Sequence, residues 1–322
     1  MDTMNWLLDS DPAIRWQTMR DLSDASPAVI AAERARLPRE GLCAQILARQ
    51  ESDGSWRRAD APVWLPTLFT MLLLRATGVD RAEPAVELAV ARLETSLRWN
   101  NEPHWDLRSA KLGGNRFFEG EVEPCINGGA LALGACFGHA SDSLAHRLAG
   151  EQLEDGGWNC DAPKSSRSSY HTTICVLEGL LEYERARGSA PEIVEARRRG
   201  ESYLLERRLF LRRSTGEVAN PAFLKFAFPT RYHYDVLRAL DYFRATGAPP
   251  DARIDDAVRV VEGRRAADGR WLLDDSHDES LVFPFPETVG EPSRWITLRA
   301  LRVLRWYDRG RTGSIAQPSR PD

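Results

Sequence analysis

The 322-residue sequence predicts an all-α protein built as a closed ring of helical hairpins. A short motif, Gln-x-x-Asp-Gly-x-Trp, recurs at residues 50–56, 152–158 and 265–271, with Arg in place of Gln in the last copy. Between the copies the apolar residues follow a helical period, and no segment shows a convincing strand-like alternation. Apolar helical segments alternate with charged ones, which is typical of inner helices covered on both sides and outer helices covered on one.

Six apolar segments are predicted to form the inner helices, at residues 12–23, 62–77, 124–138, 169–184, 231–246 and 293–306. The outer helices, about six in number, are predicted from segments of higher polarity. Five of these lie at residues 39–50, 83–98, 142–152, 191–208 and 253–265, and an additional helix is predicted at 27–37. Pro12, Pro27 and Pro191 stand where the first helical turn tolerates proline. Glycine is favoured just after a helix, and four glycines lie at the expected ends, at positions 78, 138, 188 and 247.

The organisation of the chain predicts one domain. No Pro/Gly/Ser-rich linker interrupts the helical pattern, so residues 1–308 are expected to form a single unit. Residues 309–322 lack a periodic apolar pattern, and we interpret them as a flexible C-terminal tail.

Composition excludes several classes of protein. Hydrophobic residues make up 43% and charged residues 28%, as in soluble globular proteins, and no apolar run approaches the ~20 residues of a transmembrane segment. A net charge of −4, with basic residues dispersed among acids, argues against general nucleic-acid binding. The 5 cysteines include no Cys-x-x-Cys pair, so we expect a reducing, cytoplasmic setting, with the thiols buried or holding a metal.

The repeated motif resembles the QW-like repeat of the prenyltransferase and squalene-cyclase superfamily, also described as terpene cyclase-like, which shares an α/α toroid with a central apolar cavity. The resemblance covers about residues 10–308. In such a repeat the Asp-Gly pair makes a turn, the Gln bonds backbone groups at a helix end, and the Trp packs the junction. We therefore interpret the motif as structural.

Two further segments resemble the protein prenyltransferase β subunits. There an Asp-x-Cys begins one inner helix, a Tyr-His-Thr-x-x-Cys begins the next, and the Asp, Cys and His hold zinc. This sequence has Glu123-Pro124-Cys125 and, before the next inner helix, a Tyr-His-Thr-Thr-Ile-Cys run that contains His171. The resemblance implies zinc ligands Glu123, Cys125 and His171. It also implies a zinc-dependent enzyme acting on an apolar, isoprenoid-like substrate in the cavity, with an isoprenoid diphosphate as one candidate.

Physical reasoning leaves the ligand set open. Inner helices of a toroid run parallel, so Cys125 and His171 are expected to converge at one mouth, where a thiolate, an imidazole and a carboxylate suit an open zinc site. Cys160 precedes His171 by eleven residues and competes for the same position. The rival ligand set is Cys125, Cys160 and His171, with or without Glu123. Alternatively, Cys125 and Cys175 are core residues and His171 bonds a neighbouring carbonyl group.

Other residues are candidates for catalysis or substrate binding. The Asp-x-Asp-Asp motif of alkene-protonating cyclases is absent, and the nearest acid cluster contains Asp275. The candidate catalytic residues are Glu123, Tyr232, His233 and Asp275. By the resemblance, Arg116 contacts a diphosphate, helped by Arg231. The aromatic candidates for lining an apolar pocket and stabilising a cation are Trp64, Tyr234 and Trp295.

Three classes of function remain open from the sequence. The first is the zinc-dependent enzyme described above. The second is a zinc enzyme of different chemistry on the same ring, comparable to the lanthionine synthetases, with Cys125, Cys160 and His171 as ligands. The third is a non-catalytic ring that binds a lipid or a protein. No surface for a protein partner is evident in the sequence.

Overall fold

The computed structural model describes residues 2–99 and 114–315, with side chains up to residue 311, and over these residues the protein is all-α. Extended segments in these ranges are connected only by isolated β-bridges. The thirteen α-helices of the described ranges are α1 Thr3–Leu8, α2 Pro12–Leu22, α3 Pro27–Arg34, α4 Gly41–Leu47, α5 Trp64–Thr77, α6 Pro84–Thr95, α7 Pro124–Cys136, α8 Asp142–Gly150, α9 Tyr170–Arg187, α10 Pro191–Leu205, α11 Val236–Ala245, α12 Asp255–Gly263 and α13 Arg294–Ile315.

The predicted helices are present at nearly the predicted positions. Each predicted inner segment contains one helix, and the six are α2, α5, α7, α9, α11 and α13. The start signals act locally: the Asp11 side chain accepts a hydrogen bond from the backbone of Ala13 and those of Ser169 and Asp235 cap α9 and α11 in the same way. Among the α-helices of the described residues, the prediction missed one, α1, a short helix capped by Asp2.

The repeated motif joins each outer helix to the following inner helix. In every copy the tryptophan is fully buried and its indole N–H donates to the carbonyl oxygen ten residues earlier, at 2.6–3.0 Å. Its backbone N–H donates to a threonine hydroxyl on the inner helix, at 3.0–3.1 Å. The motif glycine has a positive φ of 83–92°, which favours glycine in this turn. The tryptophans are Trp56, Trp158 and Trp271, and their threonine partners are Thr67, Thr173 and Thr297.

The motif glutamine crosslinks the turn to the next outer helix. Gln152 donates to the carbonyl oxygens of Gly156 and of Ala196 in α10, both at 2.7 Å. Gln50 makes the equivalent bonds to Gly54 and to Ala85 in α6, at 3.0 and 2.8 Å. The motif is therefore a structural junction, as the sequence predicts.

Consecutive inner helices contact one another. α7 and α9 approach most closely at Gly128 and Gly179, where an added Cβ at either position would lie 2.4–2.6 Å from backbone atoms of the other helix. Cys160 lies beside Cys125 in the first turn of α7 and bonds Thr172 in the first turn of α9, so α7 and α9 begin at the same side. Leu68 and Leu72 of α5 pack beside Gly129 of α7. Polar contacts connect the other four pairs, from α9 to α11, α11 to α13, α13 to α2 and α2 to α5.

The last helix extends beyond the apolar pattern from which it was predicted. α13 continues past Asp308 to Ile315. Arg311 explains this extension, because its guanidinium bonds Tyr307 at 2.6 Å and Asp255 in α12 at 3.2 Å. A helix face can therefore be stabilised by polar contacts without a periodic apolar pattern.

Candidate functional site

Three potential metal ligands converge where α7 and α9 begin. Glu123 is the residue before α7, Cys125 lies in its first turn, and Cys160 lies in the loop that leads to α9. The Cys125 Sγ lies 3.9 Å from a carboxylate oxygen of Glu123, and the ligand atoms of all three residues lie within 4.8 Å of one another. Cys125 is buried, while Glu123 and Cys160 are half-buried.

Hydrogen bonds position the two thiols differently. The Thr172 hydroxyl, in the first turn of α9, donates to Cys160 Sγ at 3.3 Å, and the Cys160 backbone N–H donates to the same hydroxyl. The pKa of Cys160 is lowered mainly by a hydrogen bond from the Cys125 thiol, and further by the hydrogen bond from Thr172. Burial acts in the opposite direction. The same thiol–thiol bond, followed by burial, raises the pKa of Cys125. Cys160 is thus the more acidic thiol of the pair.

His171 lies outside this group. Its Nδ1 accepts a hydrogen bond from the backbone N–H of Tyr234 at 2.9 Å, so a neutral ring carries its proton on Nε2. An Nε2 that carries the proton has no lone pair for a metal. Burial, followed by the nearby charge of Arg238, lowers the pKa of His171, which favours this neutral form.

A second group of potential ligands contains His233, His277 and Glu279. The rings of His233 and His277 stack, with centroids 3.6 Å apart and an interplanar angle of 14°, and Tyr232 stacks on the other face of His233 at 4.2 Å. Imidazole binds a metal through a lone pair in the ring plane, and parallel stacked rings do not direct these lone pairs to one point. Arg231 also pairs with Glu279. We therefore interpret His233 and His277 as members of a stack of neutral rings rather than as metal ligands.

A cavity of about 330 Å³ lies among the inner helices. One part of its wall is apolar and includes Phe69, Phe228 and Trp295, of which the last two stack at 4.3 Å. The rest of the wall is charged. Its arginines are Arg75, Arg185, Arg231, Arg238, Arg244, Arg299 and Arg302, and its carboxylates are Glu178, Glu182 and Asp241. The wall of this cavity is therefore mixed, apolar in one part and charged in the rest.

The cavity carboxylates are shared among the arginines. Asp241 contacts Arg244 and Arg302 at 2.8 Å and Arg299 at 3.5 Å. Burial alone would raise the pKa of Asp241, but these three guanidinium groups outweigh it and hold the pKa far below its usual range. Glu178 pairs with Arg238 through both carboxylate oxygens, at 2.9 and 2.8 Å.

The predicted substrate-binding residues separate into two sets. Arg231 and Trp295 line the cavity. Arg116 is exposed at the start of a 3₁₀ turn, and the buried Trp64 and Tyr234 do not line the cavity. The Tyr234 hydroxyl instead bonds the carbonyl of Leu209, and the Trp64 ring packs 5.0 Å from that of Trp99, so both serve the core.

The remaining catalytic candidates have structural contacts. The Tyr232 carbonyl accepts a hydrogen bond from the thiol of Cys175 at 3.6 Å. Asp275 pairs with Ala227 through a backbone β-bridge. Of the candidates Glu123, Tyr232, His233 and Asp275, Glu123 alone belongs to the thiol-containing group.

Sequence reasoning missed the charged wall of the cavity. Trp295, Arg299 and Arg302 are spaced four and three residues apart on α13, so they share one helix face. Arg238 and Asp241 share a face of α11 in the same way. This spacing of charges on segments predicted to be inner helices was the signal that could have found the wall.

Comparisons with known proteins give no family. No family model matches the chain, and no curated protein matches it. Among solved structures, the chain is similar to a protein from Actinoplanes, with 14% sequence identity and a TM-score of 0.46, covering 92% of this chain and 89% of that chain. Within the described residues, no helix has both the length and the hydrophobicity that a membrane span requires.

Proposed function

We propose that this protein is a zinc-dependent enzyme built on an α/α toroid, with Glu123, Cys125 and Cys160 as the metal ligands. The observation that carries the proposal is the convergence of two thiols and one carboxylate at the adjoining starts of α7 and α9. The toroid is supported by the chain of contacts that runs through the six inner helices and returns from α13 to α2.

The donor set fits zinc chemically. Thiolates are soft ligands that favour zinc, and three protein ligands are the number found in catalytic rather than structural zinc sites. In a tetrahedral site, bond lengths of ~2.3 Å to sulfur and ~2.1 Å to oxygen separate the two donors by about 3.6 Å. The observed 3.9 Å between Cys125 Sγ and Glu123 is close to that separation. When bound, zinc would supply Lewis acidity and lower the pKa of a coordinated thiol or water.

Residues of this chain would prepare the site before metal binds. Thr172 orients Cys160 and stabilises its thiolate through the hydroxyl hydrogen bond of 3.3 Å. The position of Glu123 follows from the two side-chain oxygens of Glu121, which accept hydrogen bonds from the backbone N–H groups of Val122 and Glu123 at 2.7 Å. These contacts fix the backbone just before α7, and preorganised supporting residues strengthen metal sites.

The isoprenoid part of the resemblance has weaker support than the metal. A hydrocarbon chain gains its binding energy from apolar walls, and an arginine-rich cavity would lose hydration without compensation around such a chain. A prenyltransferase-like activity on an apolar substrate therefore remains the expectation of the motifs, whereas the cavity favours a polar substrate.

A non-catalytic role is the second candidate function. It is favoured by one observation: Glu123, Cys125 and Cys160 are not among the residues that line the cavity. In that case the metal would stabilise the start of two helices, and the cavity would bind its ligand without chemistry.

Elemental analysis of tag-free protein tests the proposal. We expect close to one zinc per chain, with most of it lost in Cys125→Ala and Cys160→Ala. The matched control is Cys43→Ala, a buried cysteine on α4 that lies outside the group. His171→Asn should keep its zinc. A metal-free parent protein, or zinc that survives in both cysteine variants, would contradict the proposed site.

A further inference from the structure

The cavity wall holds more positive than negative charge. Seven arginines and three carboxylates line it, an excess of four positive charges. Several of these groups are withdrawn from water, and Arg238 and Arg299 are only 5% and 6% exposed. Buried charges in proteins are normally paired, because removing an unpaired charge from water is costly.

The three wall carboxylates do not match the arginines one to one. Further carboxylates act from outside the wall, where Asp21 lies 3.8 Å from Arg302, Glu279 pairs with Arg231 and Asp235 lies near Arg299. Asp241 is shared by three arginines, and Glu182 by Arg75 and Arg185 at 3.0 and 2.7 Å. Burial lowers the pKa of Arg302, and the neighbouring Arg244 and Arg299 lower it further against the attraction of Asp241. Positive charges are therefore crowded at this wall.

Arg231 carries the clearest sign of a missing partner. Its backbone φ is 47°, in the left-handed region that a residue other than glycine adopts at a cost. Its Nε is buried and has no hydrogen-bond partner among the residues that the structure describes. The guanidinium lies over the Phe69 ring at 4.8 Å and pairs on its outer side with the exposed Glu279.

Arg299 also has N–H groups to spare. Within the described ranges it donates one hydrogen bond, to the Ala227 carbonyl at 3.3 Å, and it lies 3.5 Å from the shared Asp241. Arg238 differs, because Glu178, two backbone carbonyls and Cys175 engage all of its N–H groups. Arg231 and Arg299 are thus the arginines best able to accept a ligand.

We propose that the cavity binds a compact polyanion, a small molecule with two or more carboxylate or phosphate groups, and that Arg231 and Arg299 hold it. The planar guanidinium group bonds both oxyanions with two parallel N–H groups. A volume of about 330 Å³ and charged groups on several sides suit a small, hydrophilic anion. This inference does not rest on the proposed metal site, which lies outside the cavity wall.

Calorimetric titration of the full chain with citrate and with inorganic phosphate tests the inference. We expect saturable binding of at least one of them, weakened by added sodium chloride, and a loss of about tenfold or more in affinity in Arg231→Gln and in Arg299→Gln. The control is Arg213→Gln, an exposed arginine paired with Glu206, which should bind the anion as the parent does.

The outcomes separate this inference from the metal proposal. Binding of citrate alone would identify carboxylates as the ligand chemistry, and binding of phosphate alone would identify phosphates. Absence of binding by both anions, or binding that survives in Arg231→Gln and Arg299→Gln, would overturn the inference. Zinc content and circular dichroism are measured on the same samples. Arg231→Gln, at a half-buried position, provides a folded variant if Arg299→Gln does not fold.

Discussion

The start of α7 and α9 and the cavity among the inner helices concentrate ionisable groups of opposite kind, acidic groups in the first and arginines in the second. At the first region burial raises the pKa of the Glu121 carboxyl to about 8, and the charge of Glu123 adds to this effect against the backbone hydrogen bonds. At the second, burial and neighbouring arginines lower the pKa of Arg302. The first region thus contains thiols and carboxyls, whereas arginines outnumber carboxylates in the second. The comparison indicates that one region is suited to a cation and the other to an anion.

The largest expected effect comes from removing the shared carboxylate of the cavity. Asp241→Asn leaves Arg244, Arg299 and Arg302 without their common partner, so we expect a loss of about 3–5 kcal/mol in the free energy of unfolding in urea. If the cavity binds anions, phosphate should restore more stability to this variant than to the parent.

A matched control separates this effect from an ordinary ion pair. Asp256 pairs with Arg208 and Arg259 at the surface, and Asp256→Asn should cost only about 0–1 kcal/mol. Equal losses in the two variants would mean that the cavity charges are no more demanding than surface charges.

The second prediction concerns the thiol-containing region. Zinc that binds only the folded chain stabilises it by roughly 2.7 kcal/mol at a free concentration 100 times its Kd, so chelation should lower the Tm of the parent by several degrees. Cys160→Ala should show no such shift, whereas Cys43→Ala should behave as the parent does. A Tm that does not change on chelation would contradict a metal site at the start of α7 and α9. It would leave the anion inference for the cavity unaffected.

The third prediction concerns the histidine stack beside the cavity. Burial, followed by the charges of His277, His171 and Arg231 and opposed by Glu279, lowers the pKa of His233 from 6.5 to about 4. Between these values the unfolded chain binds a proton that the folded chain does not, so stability should fall as the pH falls through this window. In His233→Gln we expect the decrease in the free energy of unfolding between about pH 7 and about pH 4 to be smaller than in the parent by on the order of 1–2 kcal/mol. Urea unfolding at a series of pH values measures this difference.

His146 provides a control of opposite sign. A hydrogen bond to the Asp142 carbonyl, followed by the bond to Glu192, raises the pKa of this exposed histidine. Its contribution is therefore present at low pH and is lost as the pH rises through the raised value. A His233→Gln profile that changed in the same direction as a His146→Gln profile would contradict the assignment of a neutral stack.

The smallest expected effect tests a junction remote from both regions. Gln152→Ala removes two hydrogen bonds to backbone carbonyls and should cost about 1 kcal/mol in the free energy of unfolding. Arg265 replaces this glutamine in the third copy and is exposed, so Arg265→Ala should change stability by no more than ~0.5 kcal/mol. Zinc content and anion affinity should not change in either variant.

The sequence by itself determined the helices and their junctions. Proline and capping side chains start helices, glycine ends them, and the buried tryptophan marks each junction, and all of these act within a few residues. The helical period therefore located each of the six helices predicted as inner, and it gave no signal for residues 309–315, where a contact with α12 accompanies the extension of α13.

Only the tertiary structure decided the ligand groups. Cys160 joins Glu123 and Cys125 because Thr172 holds the loop before α9 in place, whereas His171 bonds the backbone of Tyr234, sixty-three residues away. The arginines of the cavity likewise come from several helices and from the loop before α11. Spacing shows which residues share a helix face, but the packing of distant segments determines what that face meets.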